Sequence, residues 1–150
     1  ATQFLPLLAE RFLKHKVEIH ADGKSFSLLK KYPYLVKASQ EDFGKEFLSL
    51  KCSIKVVNNF EEAIEHIQNY STKHSEAIVS ENKDLCERFM TEVDAAAVYA
   101  NASTRFTDGE EFGLGAECGI STQKLHARGP FALEKLVCEK WLVTGDGQIR

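Results

Sequence analysis

The chain has 150 residues, a formal charge of −3, 43% hydrophobic and 27% charged residues. That length supports a core and that composition is ordinary for a soluble protein, which excludes a disordered chain. No run of about 18 apolar residues is present to span a membrane as a helix, no signal- or transit-peptide pattern opens the chain, and the net charge gives no reason to expect nucleic acid or an anionic membrane surface as a partner.

Taken in order, residues 3–15 place Phe4, Leu5, Leu8 and Phe12 at helical spacing, with Glu10, Arg11 and Lys14 on the other face. A helix this close to the first residue leads us to expect a segment of something longer. Residues 17–21 read as a short strand closed by Asp22-Gly23. Residues 24–40 mix their periods around Pro33 and are expected to form a short helix followed by an irregular or briefly extended stretch. Residues 49–57 read as a strand. Asn59 with Glu62 has capping-box spacing, and Phe60, Ala63, Ile64 and Ile67 form one stripe, so a helix is expected over 60–70. A strand at 77–80, a helix at 83–92 capped by Asn82, and a strand at 95–100 follow. Strand, helix, strand, helix, strand with short connections predicts a right-handed βαβ arrangement with a parallel sheet in a single domain. Further on, a short helix is expected at 131–137 after Pro130, and an apolar run, Trp141-Leu142-Val143, ahead of a GDG turn and a final QIR.

The stretch fed by the strand at 95–100 organises the rest. It carries Asn101, Ser103, Thr104, Arg105, Thr107 and Asp108, then Gly109, Gly113, Gly115, Gly119 and Gly129. Glycines let backbone N–H groups approach an anion, and a guanidinium offers a planar fork to carboxylate or phosphate oxygens. A loop leaving a strand end is where α/β proteins hold ligands, although such loops are also plain turns. Cys52, Cys86, Cys118 and Cys138 have irregular spacing with no CxxC or His/Cys metal pattern, so no zinc site and reduced thiols are expected.

The string NASTRFTDGEEFGLGAECGISTQKLHARGP closely resembles the C-terminal signature of the γ-glutamyl phosphate reductase family (glutamate-5-semialdehyde dehydrogenase), within the aldehyde dehydrogenase superfamily. The resemblance implies an α/β, Rossmann-like βαβ portion of the aldehyde dehydrogenase catalytic domain, ending in a strand that pairs between subunits of a homo-oligomer. It implies a cytoplasmic oxidoreductase of proline biosynthesis that uses NADPH to convert γ-glutamyl phosphate to glutamate 5-semialdehyde and phosphate, functionally linked to a glutamate 5-kinase. The family's attacking cysteine sits in a Cys-Asn-Ala string that this chain lacks. No catalytic residue is therefore expected here, and the segment alone is expected to be inactive. Cys118 comes nearest in setting, with a structural role the alternative.

By the same resemblance Glu46, ahead of EEAIEHI, is matched to the carboxylate that touches the nicotinamide ribose, against a plain surface carboxylate. Asn101, Ser103, Thr104 and Arg105 match the substrate loop, with Arg105 on the glutamyl α-carboxylate or the acyl phosphate. Asp108 would grip the substrate ammonium or simply form an Asp-Gly turn. Arg128 would bind phosphate or pin the loop through a carboxylate such as Glu117, and His126 beside it is acid–base or structural. His66 and His74 are expected to face solvent. Two other readings stay open: the reductase region of a bifunctional pyrroline-5-carboxylate synthase, and a non-catalytic anion-binding or oligomerisation module.

Overall fold

The computed structural model describes residues 1–149, so Arg150, the last residue of the terminal QIR, lies outside the described residues. The chain divides into two compact units, Ala1–Thr72 and Lys73–Arg150.

In the first unit, helix α1 (Phe4–Leu13) leads into β1 (Glu18–Ala21), helix α2 (Gly23–Leu28), β2 (Leu35–Lys37), β3 (Lys51–Ile54) and helix α3 (Phe60–Tyr70). The three strands are all parallel in the order β2-β1-β3, with Ile19 opposite Leu35 on one side and Cys52 on the other. Alternation along β1 buries Ile19 and Ala21 completely. They meet Leu5, Leu29 and Tyr32, with Leu8, Phe12, Phe26 and Val56 packed around them. The Tyr32 hydroxyl donates to the Val17 carbonyl at 2.6 Å, which satisfies its one polar atom in that core. Asp22 caps α2, accepting from Ser25 N at 2.9 Å, and also accepts from Val56 N at 3.3 Å, tying the helix start to the chain leaving β3. Burial pushes the Asp22 carboxyl up, but the bonds from Ser25, Val56 and Lys24 outweigh it and hold the group below its usual value.

In the second unit, β4 (Ser75–Ile78), α4 (Lys83–Glu92) and β5 (Ala97–Ala100) form a βαβ unit, the strands pairing in parallel from Ser75↔Ala97 to Ile78↔Ala100. β6 (Gly119–Ser121) and β7 (Gly129–Phe131) make a short antiparallel pair.

Helices α3 and α4 have the expected bounds and caps. Asn59 accepts from Glu62 N and Asn82 from Leu85 N. The Glu62 carboxylate, however, reaches back to the N–H and side-chain amide of Asn58 rather than to the cap residue itself. Two expectations need correction. The strands at 49–57, 77–80 and 95–100 do not share one sheet, because β3 finds its partner in β1 while β4 and β5 pair with each other. No α-helix forms at 131–137: pairing with β6 holds Phe131 extended, Ala132 continues extended, and only Leu133–Lys135 makes a 3-10 turn. The run Trp141-Leu142-Val143 pairs with no described strand and is more than 80% exposed.

Candidate functional site

The loop leaving β5 is fixed at both ends. Its first residue, Asn101, adopts φ +56, a left-handed conformation that asparagine tolerates better than most residues. Its amide imitates one more rung of the β4–β5 ladder, accepting from Ser80 N and donating to Ser80 O, both at 2.9 Å, while Asn101 N donates to Ile78 O. The chain then makes a 3-10 turn at Thr104–Phe106, capped by Ser103, whose hydroxyl accepts from Arg105 N at 3.2 Å. The turn ends on Thr107, which is buried and whose Oγ1 lies 2.6 Å from Ser75 Oγ and 2.8 Å from the Tyr99 hydroxyl.

Between these anchors Thr104 and Arg105 are exposed, and the Arg105 guanidinium meets no carboxylate among the described residues. Asp108 forms the expected turn, its Oδ1 accepting from Glu110 N at 2.8 Å and Glu111 N at 3.3 Å. Gly109 is needed for a close approach, since a Cβ there would lie 2.4 Å from the Ala116 carbonyl oxygen. Glu117 accepts from Gly109 N at 2.9 Å, so it closes the glycine loop instead of holding Arg128.

Arg128 is held by Asp94, with Nη1 2.9 Å from Oδ1, and Lys124 sits on the other oxygen at 2.7 Å. These two cations hold the Asp94 carboxyl at about 2, Lys124 having the larger effect. The Arg128 Nε and Nη2 atoms are buried and meet no acceptor among the described residues. Nη1 thus pins the approach to β7 onto the connection between α4 and β5, and the other two nitrogens are left without a partner among the described residues. His126 Nε2 lies 2.7 Å from the Lys135 carbonyl oxygen, a structural contact.

Glu46 lies in the first unit, in the extended stretch after a 3-10 turn at Glu41–Gly44. It is exposed, and its carboxylate meets no donor among the described residues. Its neighbour Asp42 is occupied: the Ser39 N–H and hydroxyl donate to it, and His20 Nδ1 lies 3.1 Å away. The Ser39 amide and the His20 ring hold the Asp42 carboxyl below its usual range. Of these two neighbouring carboxylates, Glu46 is therefore the one open to a ligand. Phe47 packs at a tilt against His20, ring centroids 4.9 Å apart, and Phe43 packs on the His66 and Tyr70 rings of α3, which fixes the segment on both sides of Glu46.

Among the described residues no three His, Cys, Asp or Glu side chains are placed to hold a metal ion, and no helix is long and apolar enough to cross a membrane. All four cysteines are unpaired. Burial pushes the Cys52 thiol up, away from thiolate character. Cys86 is buried with its thiol toward the Ser80 carbonyl, while Cys118 and Cys138 are exposed.

Similarity to known proteins covers the whole chain. The "Gamma-glutamyl phosphate reductase" of Clostridium acetobutylicum is 57% identical over 150 residues, all of this chain and 35% of that protein. That of Legionella pneumophila is 56% identical over 149 residues, covering 97% of this chain and 36% of its own. The crystal structure of the Thermotoga maritima protein of that name matches 99% of the chain and 35% of its own length, with a TM-score of 0.91 at 50% identity. The chain's homologues are γ-glutamyl phosphate reductases. It spans about 35% of the length of these relatives, and no family model matches it. The mixed α/β fold with parallel sheets is that of the Thermotoga reductase.

Against that background, the structure gathers Asn101, Ser103, Thr104, Arg105 and Asp108 on one strapped loop, while Arg128 is tied to Asp94 and Glu46 belongs to the first unit. Sequence reasoning passed over Asp94 and Thr107 as partners, because nothing in their spacing connects them to Arg128, Ser75 or Tyr99. It also misplaced His66 and His74, which are half-buried: His66 packs on Phe43 and Tyr70, and His74 Nδ1 lies 2.7 Å from Ser75 Oγ.

Proposed function

We propose that the chain is part of an NADPH-dependent reductase that converts L-γ-glutamyl phosphate to L-glutamate 5-semialdehyde and phosphate in cytoplasmic proline biosynthesis. The observation that supports the reading is the likeness to γ-glutamyl phosphate reductases over all 150 residues, loop included. The segment serves as part of the catalytic domain plus a terminal strand through which copies of the enzyme associate; the exposed run Trp141-Leu142-Val143 is the apolar edge for that pairing. The substrate comes from an acyl-phosphate-forming kinase, a glutamate 5-kinase.

Within this scheme the chain's residues bind and orient. Arg105 presents its fork to the α-carboxylate or acyl phosphate, with the Ser103 and Thr104 hydroxyls as further donors. Asn101 fixes the start of the loop, Asp108 offers its second oxygen to the substrate ammonium, and Arg128 offers Nε and Nη2 to phosphate oxygens. Glu46, open and without a donor of its own, fits a ribose, whose hydroxyls would donate to it. The nicotinamide, when bound, supplies the hydride. The thiolate that displaces phosphate from the acyl carbon comes from outside these 150 residues.

A chimera tests this. The segment replaces its counterpart in the Clostridium acetobutylicum reductase, and NADP reduction is followed with glutamate 5-semialdehyde and phosphate. Activity in the chimera and none in the 150 residues alone is the expected result. A folded chimera that binds NADPH but does not turn over would refute the reading, and turnover by the segment alone would refute the external nucleophile. Arg105→Ala in the chimera raises the substrate KM roughly 10- to 150-fold, the loss of about 1.5–3 kcal/mol from a hydrogen-bonded charge pair.

A further inference from the structure

We propose that Thr107 is a positioning residue for substrate binding: its hydroxyl fastens the far end of the Arg105 loop to both strands beneath it. The inference rests on the reading of residues 101–108 as the substrate loop. Asn101 ties the near end to Ser80, two residues beyond the end of β4. Thr107 ties the far end to Ser75, the first residue of β4, and to Tyr99 in β5. The exposed turn carrying Arg105 therefore runs between two anchors at opposite ends of one strand.

The chemistry of Thr107 suits the task. A single hydroxyl can donate one bond and accept others, so it can join two further hydroxyls at once. A β-branched residue is stiff at χ1, which holds that oxygen in place. The bridge continues to His74, whose Nδ1 lies 2.7 Å from Ser75 Oγ, so four side chains form one chain from His74 through Ser75 and Thr107 to Tyr99. Thr107 itself is 8% exposed, which keeps competing water from its oxygen. Backbone bonds add to the closure: Thr107 N donates to Thr104 O and Phe106 N to Ser103 O. A rigid turn matters because a displacement of about 1 Å in a substrate-positioning group can lower turnover efficiency by up to about 100-fold.

Thr107→Val keeps the shape and removes the hydroxyl; Thr107→Ser keeps the hydroxyl. Both are made in the full-length chimera, beside Arg105→Ala and Tyr99→Phe. We expect Thr107→Val to raise the substrate KM by about 10- to 100-fold with a much smaller change in kcat and in NADPH affinity. Thr107→Ser should stay within about threefold of the parent, and Tyr99→Phe, which keeps the Ser75 bond, should fall between, providing the reading even if Thr107→Val does not fold. If Arg105→Ala raises KM while neither Thr107→Val nor Tyr99→Phe does, or if Thr107→Ser fails to rescue, the inference is overturned and the substrate loop stands. If Arg105→Ala leaves KM unchanged, the loop reading itself falls and takes the inference with it.

Discussion

Gly109→Ala should be the most damaging single methyl addition in the glycine loop. A Cβ at residue 109 would sit 2.4 Å from the Ala116 carbonyl oxygen, 2.8 Å from the Glu117 Cβ and 3.1 Å from the Ala116 carbonyl carbon. Two of those three atoms are backbone, so no rotamer change relieves the overlap. The strands of the loop must part, which costs about 1–3 kcal/mol as overpacking. Parting them also pulls Gly109 N from the Glu117 carboxylate, now at 2.9 Å, a charge-assisted bond contributing about 1.5–3 kcal/mol. Together the loss is about 2.5–6 kcal/mol. Gly113 is the control, because it has φ +76 and open space around it. Alanine there meets only the left-handed penalty of about 1–2 kcal/mol, and asparagine less. Urea titration of the three variants, with amide exchange across residues 108–117, separates the two mechanisms. If Gly109→Ala costs no more than Gly113→Ala, the close approach of 109 to 116 is not what holds the loop.

Asp94→Asn removes the anion shared by Lys124 and Arg128. The Asp94 carboxyl lies at about 2 against an ordinary 3.8, so its contribution is complete above about pH 4 and declines as pH falls through about 2. The stability gap between parent and variant should close over that window in acid titrations, and a gap constant with pH would argue against the ion network. Asp22→Ala removes the α2 cap together with the bond to Val56 N, and should cost about 1–2 kcal/mol by urea unfolding, with Asp22→Asn recovering part of it. Ile19→Ala empties the centre of the first core, where Ile19 is fully buried, and should cost about 2–5 kcal/mol; a loss below 1 kcal/mol would mean that this core does not hold the unit together.

Local signals carried the helices further than they carried the strands. Asn59 and Asn82 announce their helices because a cap and an apolar stripe are encoded within a dozen residues. Strand pairing is encoded at long range. Nothing in residues 49–57 says that β3 will join β1 across α2 and β2, and the sheet is divided accordingly. Pro130 illustrates a local signal losing to a tertiary one: it is a fair first residue for a helix, yet the antiparallel partner at Ile120 keeps it extended. At the candidate site the exposed polar residues of the loop were legible and their supports were not. Arg105 stands out as an arginine in a polar, glycine-bounded loop, but that Thr107 and not Ser103 carries the anchoring hydroxyl depends on Ser75, thirty-two residues away.

On the proposed reading, that division has a physical consequence for how such a segment would contribute to catalysis. Burial pushes the Cys52 thiol up, away from the thiolate form that a nucleophile needs. What the segment has is stiffness around unpartnered polar groups: Arg105 between two side-chain anchors, Arg128 with one nitrogen tied to Asp94 and two buried and left over, Glu46 on a stretch clamped through Phe43 and Phe47. Groups held this way lose little further freedom when a substrate arrives, so more of their interaction energy appears as orientation of the reacting carbonyl. An arrangement of this kind predicts that mutations at the supports, Thr107 and Asp94, act on substrate KM more than on chemistry. A nucleophile supplied from outside these residues can meet a substrate already fixed in place.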